Sequence, residues 1–388
     1  MQFLCKALIW VGLSLGLQAC TLVDNYILGK DNTLKPKPLP ELHAKLSLTQ
    51  TWSAKVGNGQ QPPMYYKLKP VIAHETIYTA DSSGQVSAIS AHGTVLWTTP
   101  LAHGIVSGPT VVQDKVIVGS DAGTLLALST RNGQKVWEQT LSGEVLAKSL
   151  AIGQRVIAKT IDGHLYALDL ATGKSLWMIE HGAPNLVLKA SSAPVMMGNT
   201  LLVGYSDGKL DAVDPAQGRV IWQRGIVYAN GASDVERLVD IDADPILHHA
   251  WIYLASYQGT IGAFDVENGV FAWSKPASIY KNMAMDSDTL YVTDSQDVLW
   301  AYQLSTGQVK WKQTALKGYG VTEPILFGSR LLVGDKTGQL HVLSRANGDL
   351  IGRENVGAPI YISPAASHQH LLVMSADGIL HAYKAHML

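Results

Sequence analysis

The sequence predicts an all-β chain folded as an eight-bladed β-propeller of four-stranded blades. Three observations carry this: a repeat of about forty residues, short apolar runs separated by glycine-bearing turns, and a tryptophan that closes most repeats. The tryptophans are Trp97, Trp137, Trp177, Trp222, Trp273 and Trp311, with Gly352 where a seventh would stand. Such a period fits a ring of small sheets better than a one-core enzyme.

The elements of a repeat follow in order. A first strand precedes each hairpin, as at Pro109 to Val112, Pro194 to Met197, Pro245 to Leu247 and Pro324 to Phe327. Hairpins then begin near Ile77, Val116, Val156, Leu201, Ile252, Leu290, Leu331 and Leu371, which gives eight blades. The turn after the second strand is often Asp-Gly, as at Asp162-Gly163, Asp207-Gly208 and Asp377-Gly378. The turn after the third is Asn-Gly or Thr-Gly, as at Asn132-Gly133 and Thr172-Gly173. Glycine accepts the positive φ that tight hairpins demand. Leu201-Leu202-Val203 and Leu331-Leu332-Val333 are apolar on both faces, so they need cover on both sides. Radially stacked sheets provide it, with Gly119, Gly204 and Gly334 letting backbones approach and the tryptophans filling the seams. The last repeat lacks an outer strand. Leu48 to Lys55, containing Trp52, can supply it, so the N-terminal strand pairs with the last blade and protects its edge. Seven blades plus a stray hairpin is the alternative.

Of 388 residues, 47% are apolar, ample for a core, and thirty basic residues face thirty-one acidic ones. A net charge of -1 argues against nucleic acid as a partner. The two cysteines, Cys5 and Cys20, lie at the N-terminus, so the body has no disulfide, thiol nucleophile or thiolate metal site. Residues 1–19 read as a signal peptide, with a lysine-bearing start and an apolar run too short to span a bilayer. Leu17-Gln18-Ala19-Cys20 resembles the bacterial lipobox, which implies lipidation at Cys20 after cleavage. Thr21 is not the aspartate that, in many such lipoproteins, signals inner-membrane retention, so the expected destination is the outer membrane, facing the periplasm. Residues 20–45 form the lipidated N-terminus and a tether with Pro36, Pro38 and Pro40, and 46–388 the propeller. An ordinary secretory signal with a chance cysteine is the competing reading.

The repeat endings Leu168-Asp169-Leu170-Ala171-Thr172-Gly173-Lys174-Ser175-Leu176-Trp177 and Val213-Asp214-Pro215-Ala216-Gln217-Gly218-Arg219-Val220-Ile221-Trp222 resemble the quinoprotein-type repeat. With the lipobox and eight blades, the whole chain resembles the BamB family, lipoproteins of the outer-membrane β-barrel assembly (BAM) machinery. That resemblance implies a non-enzymatic scaffold without cofactor. Its implied partners are the POTRA domains of BamA, together with the other BAM lipoproteins, as a monomer within a hetero-complex. Unfolded outer-membrane proteins are a further candidate partner, through β-augmentation at outer blade edges.

The intervals that end at Trp222 and at Trp273 are longer than the repeat requires, and both excesses fall in outer-to-inner connections on one face. Loops on a rigid scaffold are where binding concentrates. Leu186-Val187-Leu188-Lys189 matches the family's Leu-x-Leu-Arg, and Asp240-Ile241-Asp242 its Asp-x-Asp, both implied to contact BamA. Lys189 replaces the arginine, keeping the charge without the bidentate fork. Read without the family, Leu186 and Leu188 could be inward strand residues, and Asp240 and Asp242 could cap turns.

The alternatives are a periplasmic quinone-dependent dehydrogenase, which the repeats also resemble, or another ligand-binding propeller that takes peptide or glycan on its central face. Such enzymes require a calcium site, a catalytic aspartate and generally a longer chain, and many carry a vicinal disulfide, excluded here by the cysteine-free body. His248-His249 would point to opposite sides of a strand and suit a turn better than a metal. Gly173-Lys174-Ser175 lacks the upstream glycine of a phosphate loop and reads as a hairpin turn.

Overall fold

A computed structural model describes residues 34–42, 44–60, 65–184, 186–189, 191–228, 233, 236, 238–367 and 371–387. Residues 1–19, expected to be a signal peptide, and Cys20 and Thr21 lie outside the described residues. Among those described there are eight four-stranded antiparallel sheets and no helix. In chain order blade 1 spans residues 71–100, blade 2 105–140, blade 3 150–180 and blade 4 195–225. Blades 5, 6 and 7 span 246–277, 284–313 and 325–355.

Blade 8 combines the first strand with the last three. Leu46–Lys55 lies antiparallel to Ile379–Met387, from Leu46 opposite Met387 to Lys55 opposite Ile379, with a bulge between Gln50 and Trp52. The closing strand is thus the one the sequence indicates, begun two residues earlier.

The doubly apolar strands are explained by neighbours on both sides. Leu201 and Val203 share a cluster with Ile157, Leu165 and Ala167 of blade 3, whereas Leu202 packs with Ile252 and Leu254 of blade 5. Side chains alternate between the faces of a strand, so each blade buries one set in each seam. Full burial of such a side chain stabilises by about 1.5–3 kcal/mol. Gly204 is required by close approach: a Cβ there would lie 2.8 Å from Cγ2 of Ile241.

Most seams are locked by an indole. Nε1 of Trp137 donates to the Leu170 carbonyl at 2.9 Å, and its ring covers Gly173, whose φ is +73°. Trp52, Trp97, Trp177, Trp273 and Trp311 repeat this on Ala91, Thr130, Pro215, Leu304 and Arg345. Between blades 4 and 5 the pattern changes. There Arg224 donates to the Val266 carbonyl at 2.7 Å and occupies the space over Gly269, lying itself above the Trp222 ring. Gly352 takes the tryptophan register in blade 7 because the start of the closing strand crosses it, with a prospective Cβ only 3.0 Å from the Leu46 carbonyl oxygen.

Residues 65–70 connect the closing strand to blade 1 and run across the hub. Lys67 pairs in parallel with Ser107 of blade 2. Tyr65 Oη donates to Glu323 and accepts from the Asn282 amide at 3.1 Å. The segment therefore bridges opposite sides of the ring. His248 ends the innermost strand of blade 5 and His249 sits in the turn with φ +56°, their rings 4.2 Å apart. Gly173 and Lys174 form a hairpin turn before the strand Ser175–Glu180.

Candidate partner-binding site

The two long connections meet. Leu186 to Lys189 lies between the outer strand of blade 3 and the innermost strand of blade 4, and Asp240 to Asp242 occupies the corresponding connection one blade on. The Leu188 amide donates to Oδ2 of Asp240 at 2.6 Å. Leu186 is 40% exposed, Leu188 is half-buried, and Lys189 reaches Glu144 Oε1 of the preceding connection at 2.8 Å while staying exposed. Asp240 and Asp242 are each only 1% exposed. The leucines and lysine thus form the accessible surface, and the aspartates support it from beneath.

Two buried lysines organise that support. Lys67, from the hub strap, donates to the Asp242 carbonyl at 2.8 Å and pairs with Asp244. Lys159 donates to the Gly204 carbonyl at 2.5 Å and to Ser192 Oγ at 3.3 Å. Burial, and then the charge of Lys67, press the Lys159 pKa down to about 7 against the pull of Asp242, Asp244 and Asp240. Burial also raises both aspartates; the Leu188 amide opposes this at Asp240, while the charge of Asp240 adds to it at Asp242. Oδ1 of Asp240 and Oδ2 of Asp242 lack hydrogen bonds among the described residues.

A second cluster lies at the root of the loop. His181 places Nδ1 3.1 Å from Asp211 and Nε2 3.2 Å from Asp207, with its ring stacked 3.6 Å over Tyr205. Burial would discharge this imidazole, but the hydrogen bonds and charges of both aspartates outweigh it and raise its pKa to about 9. Lys209 adds a 2.7 Å ion pair to Asp207.

Sequence reasoning did not single out Lys67, Lys159, Asp244 or His181. For Lys159 a signal existed. It ends the run Val156-Ile157-Ala158, where the matching second-strand position in other blades is Ala80, Gly119, Gly204, Ala255, Thr293, Gly334 or Met374. A charge in a strand covered on both faces demands internal partners. No comparable signal marks Lys67, whose partners lie far along the chain.

No group of three or more His, Cys, Asp or Glu able to hold a metal occurs among the described residues. The family profile described as outer membrane protein assembly factor BamB matches residues 82–313. The chain is 53% identical over 364 residues to outer membrane protein assembly factor BamB of Legionella pneumophila (strain Paris), covering 94% of this chain and 95% of the relative.

The chain belongs to the BamB family.

It is also 31% identical to the BamB of Escherichia coli (strain K12), covering 94% of this chain and 95% of that one. The crystal structure of BamB from Moraxella catarrhalis superposes with a TM-score of 0.78 at 27% identity, covering 87% of this chain and 100% of the other. A quinohemoprotein alcohol dehydrogenase from Comamonas testosteroni reaches a TM-score of 0.66 at only 14% identity, a likeness of fold alone. BamB relatives are named as assembly factors, so the non-enzymatic reading stands and the dehydrogenase alternative falls away.

Proposed function

We propose that this chain is a scaffold of outer-membrane protein assembly whose Leu186–Lys189 surface docks on the POTRA domains of BamA. The observation that carries it is the Asp240–Leu188 hydrogen bond, which fixes an exposed apolar and cationic loop on a rigid two-blade base. Preorganised loops bind without first losing conformational entropy. Lys189 presents its charge beside Glu144, so its contact is a point charge rather than a fork. Changing Leu186, Leu188 and Lys189 together should abolish capture of BamA POTRA domains with the fold unaltered; undiminished capture removes this site.

The anchor belongs to the same reading. Acylation at Cys20 holds the propeller at the periplasmic face of the outer membrane, since multiple acyl chains give a durable anchor where one alone is marginal. Cys20→Ser should release the protein from the membrane fraction. Clients are a second contact. The outer strands expose Leu96, Leu176, Met178, Ile221 and Val270, apolar side chains beside unpaired backbone edges that an extended segment can join. Crosslinks from these edges to unfolded barrel proteins test this role; crosslinks confined to BamA would reject it.

A further inference from the structure

Lys69 and Lys148 line one cavity of about 410 Å³ at the hub of the propeller. Lys69 comes from the strap and Lys148 from the connection preceding the innermost strand of blade 3. The two carboxylates on the same wall are engaged: Asp244 by Lys67 and Asn282, Glu323 by Tyr65. Neither Lys69 nor Lys148 makes a hydrogen bond or ion pair among the described residues. Lys69 is exposed to the channel and Lys148 half-buried; surrounding protein lowers the pKa of both, against the pull of Glu323 and Asp244 at Lys69 and of Asp244 at Lys148, where the charge of Lys69 lowers it further.

Two ammonium groups that line one cavity repel each other unless something answers their charge. Asp244 and Glu323 attract these lysines from the wall but form no ion pair with either, so a direct complement would be an oxyanion. The rest of the wall sets its shape. Ile246, Met283, Met285, Ile325 and Leu326 line the cavity, and methionine adapts to varied apolar bodies. An inorganic ion would leave that surface uncovered.

We propose that the hub binds a small organic carboxylate, its acid group between Lys69 and Lys148 and its apolar body against Met283, Met285 and Leu326. The cavity shares Lys67 and Asp244 with the support beneath the Leu186–Lys189 loop but is lined by none of that loop's exposed residues. Its walls come from the innermost strands of several blades together with the strap, so an occupant would tie those elements together.

The test uses full-length protein in detergent, titrated with hexanoate, hexylamine, hexanol and inorganic phosphate, with methionine methyl NMR and calorimetry as readouts. Hexanoate should bind saturably and shift the methyl signals of Met283 and Met285, whereas hexylamine and hexanol should not. Lys69→Met with Lys148→Met should weaken hexanoate about ten-fold or more, the scale of one lost charge-assisted hydrogen bond. The same change should raise Tm without ligand, because it removes the confined charges. Lys69→Arg should retain binding and gives a reading even if the double variant folds poorly. Methyl shifts that do not discriminate hexanoate from hexylamine or hexanol overturn the proposal. So does binding that survives the double change, or phosphate binding alone, which would describe a bare anion hole.

Discussion

The carboxylate of Asp240 accepts the backbone N–H of Leu188 at 2.6 Å, so a residue of one blade connection sets the shape of its neighbour. Losing a hydrogen bond to a charged group costs roughly 1.5–3 kcal/mol. Asp240→Ala removes the acceptor, whereas Asp240→Asn keeps an oxygen there and deletes a buried charge. Expected for the alanine variant are faster hydrogen exchange at the Leu188 amide and about ten-fold weaker capture of POTRA domains. The asparagine variant should stay close to wild type. Equal losses in both would mean that the charge itself, not the loop geometry, makes the contact.

His181 makes the base of that loop sensitive to pH in a defined direction. Its folded pKa is raised to about 9, so its stabilisation is complete below the ordinary imidazole value of about 6.5 and is lost as pH climbs through 9. Asp207 behaves oppositely. Burial would raise it, but His181 and Lys209 hold it at about 2, so its contribution is present above about 3.8 and lost as pH falls through 2. His181→Gln leaves Asp207 and Asp211 facing each other without their shared cation. Breaking a buried pair costs about 3–5 kcal/mol, and this partly screened cluster should sit at or below the low end. Urea unfolding from pH 6 to 10 should show a falling limb in the wild type that the variant lacks.

The blades were legible because a hairpin is written locally. Asp207-Gly208 and Thr172-Gly173 announce turns, Leu201-Leu202-Val203 announces two-sided burial, and period multiplies the signal eight times. The strap was not legible. Tyr65 to Pro70 follows no repeat, and its hold on Glu323, Asn282 and Asp244 joins residues remote in sequence. The loop site was half legible: its position followed from the long intervals, but charged residues in a connection read as exposed. Asp240 and Asp242 are buried, with the charge of Lys159 acting on both and that of Lys67 on Asp242 from other parts of the ring.

The seam exception gives a comparison within one molecule. Trp137→Phe deletes the hydrogen bond to the Leu170 carbonyl and should cost about 1 kcal/mol. Trp222 makes no indole hydrogen bond among the described residues, because Arg224 bridges to Val266 instead. Trp222→Phe should therefore leave the urea midpoint nearly unchanged, and Arg224→Met should lower it by an amount similar to Trp137→Phe. A larger loss from Trp222→Phe would show that its ring, not the guanidinium above it, secures blades 4 and 5.

Ring closure depends on a pairing between the first and last strands, Leu46 with Met387 and Lys55 with Ile379. Leu46 and Leu48 also fill the seam between blades 7 and 8, and Trp52 covers Gly93 of blade 1. A protein beginning at residue 56 would expose the edge of Ile379–Met387, a template for pairing with other chains. Both adjoining seams would lose apolar cover at the same time. Broad, non-cooperative unfolding and oligomers in sedimentation are the expected outcome, with a peptide of residues 46–55 restoring the monomer. A truncated monomer that unfolds sharply without the peptide would mean that seven complete blades sustain the ring and that the closing strand only seals it.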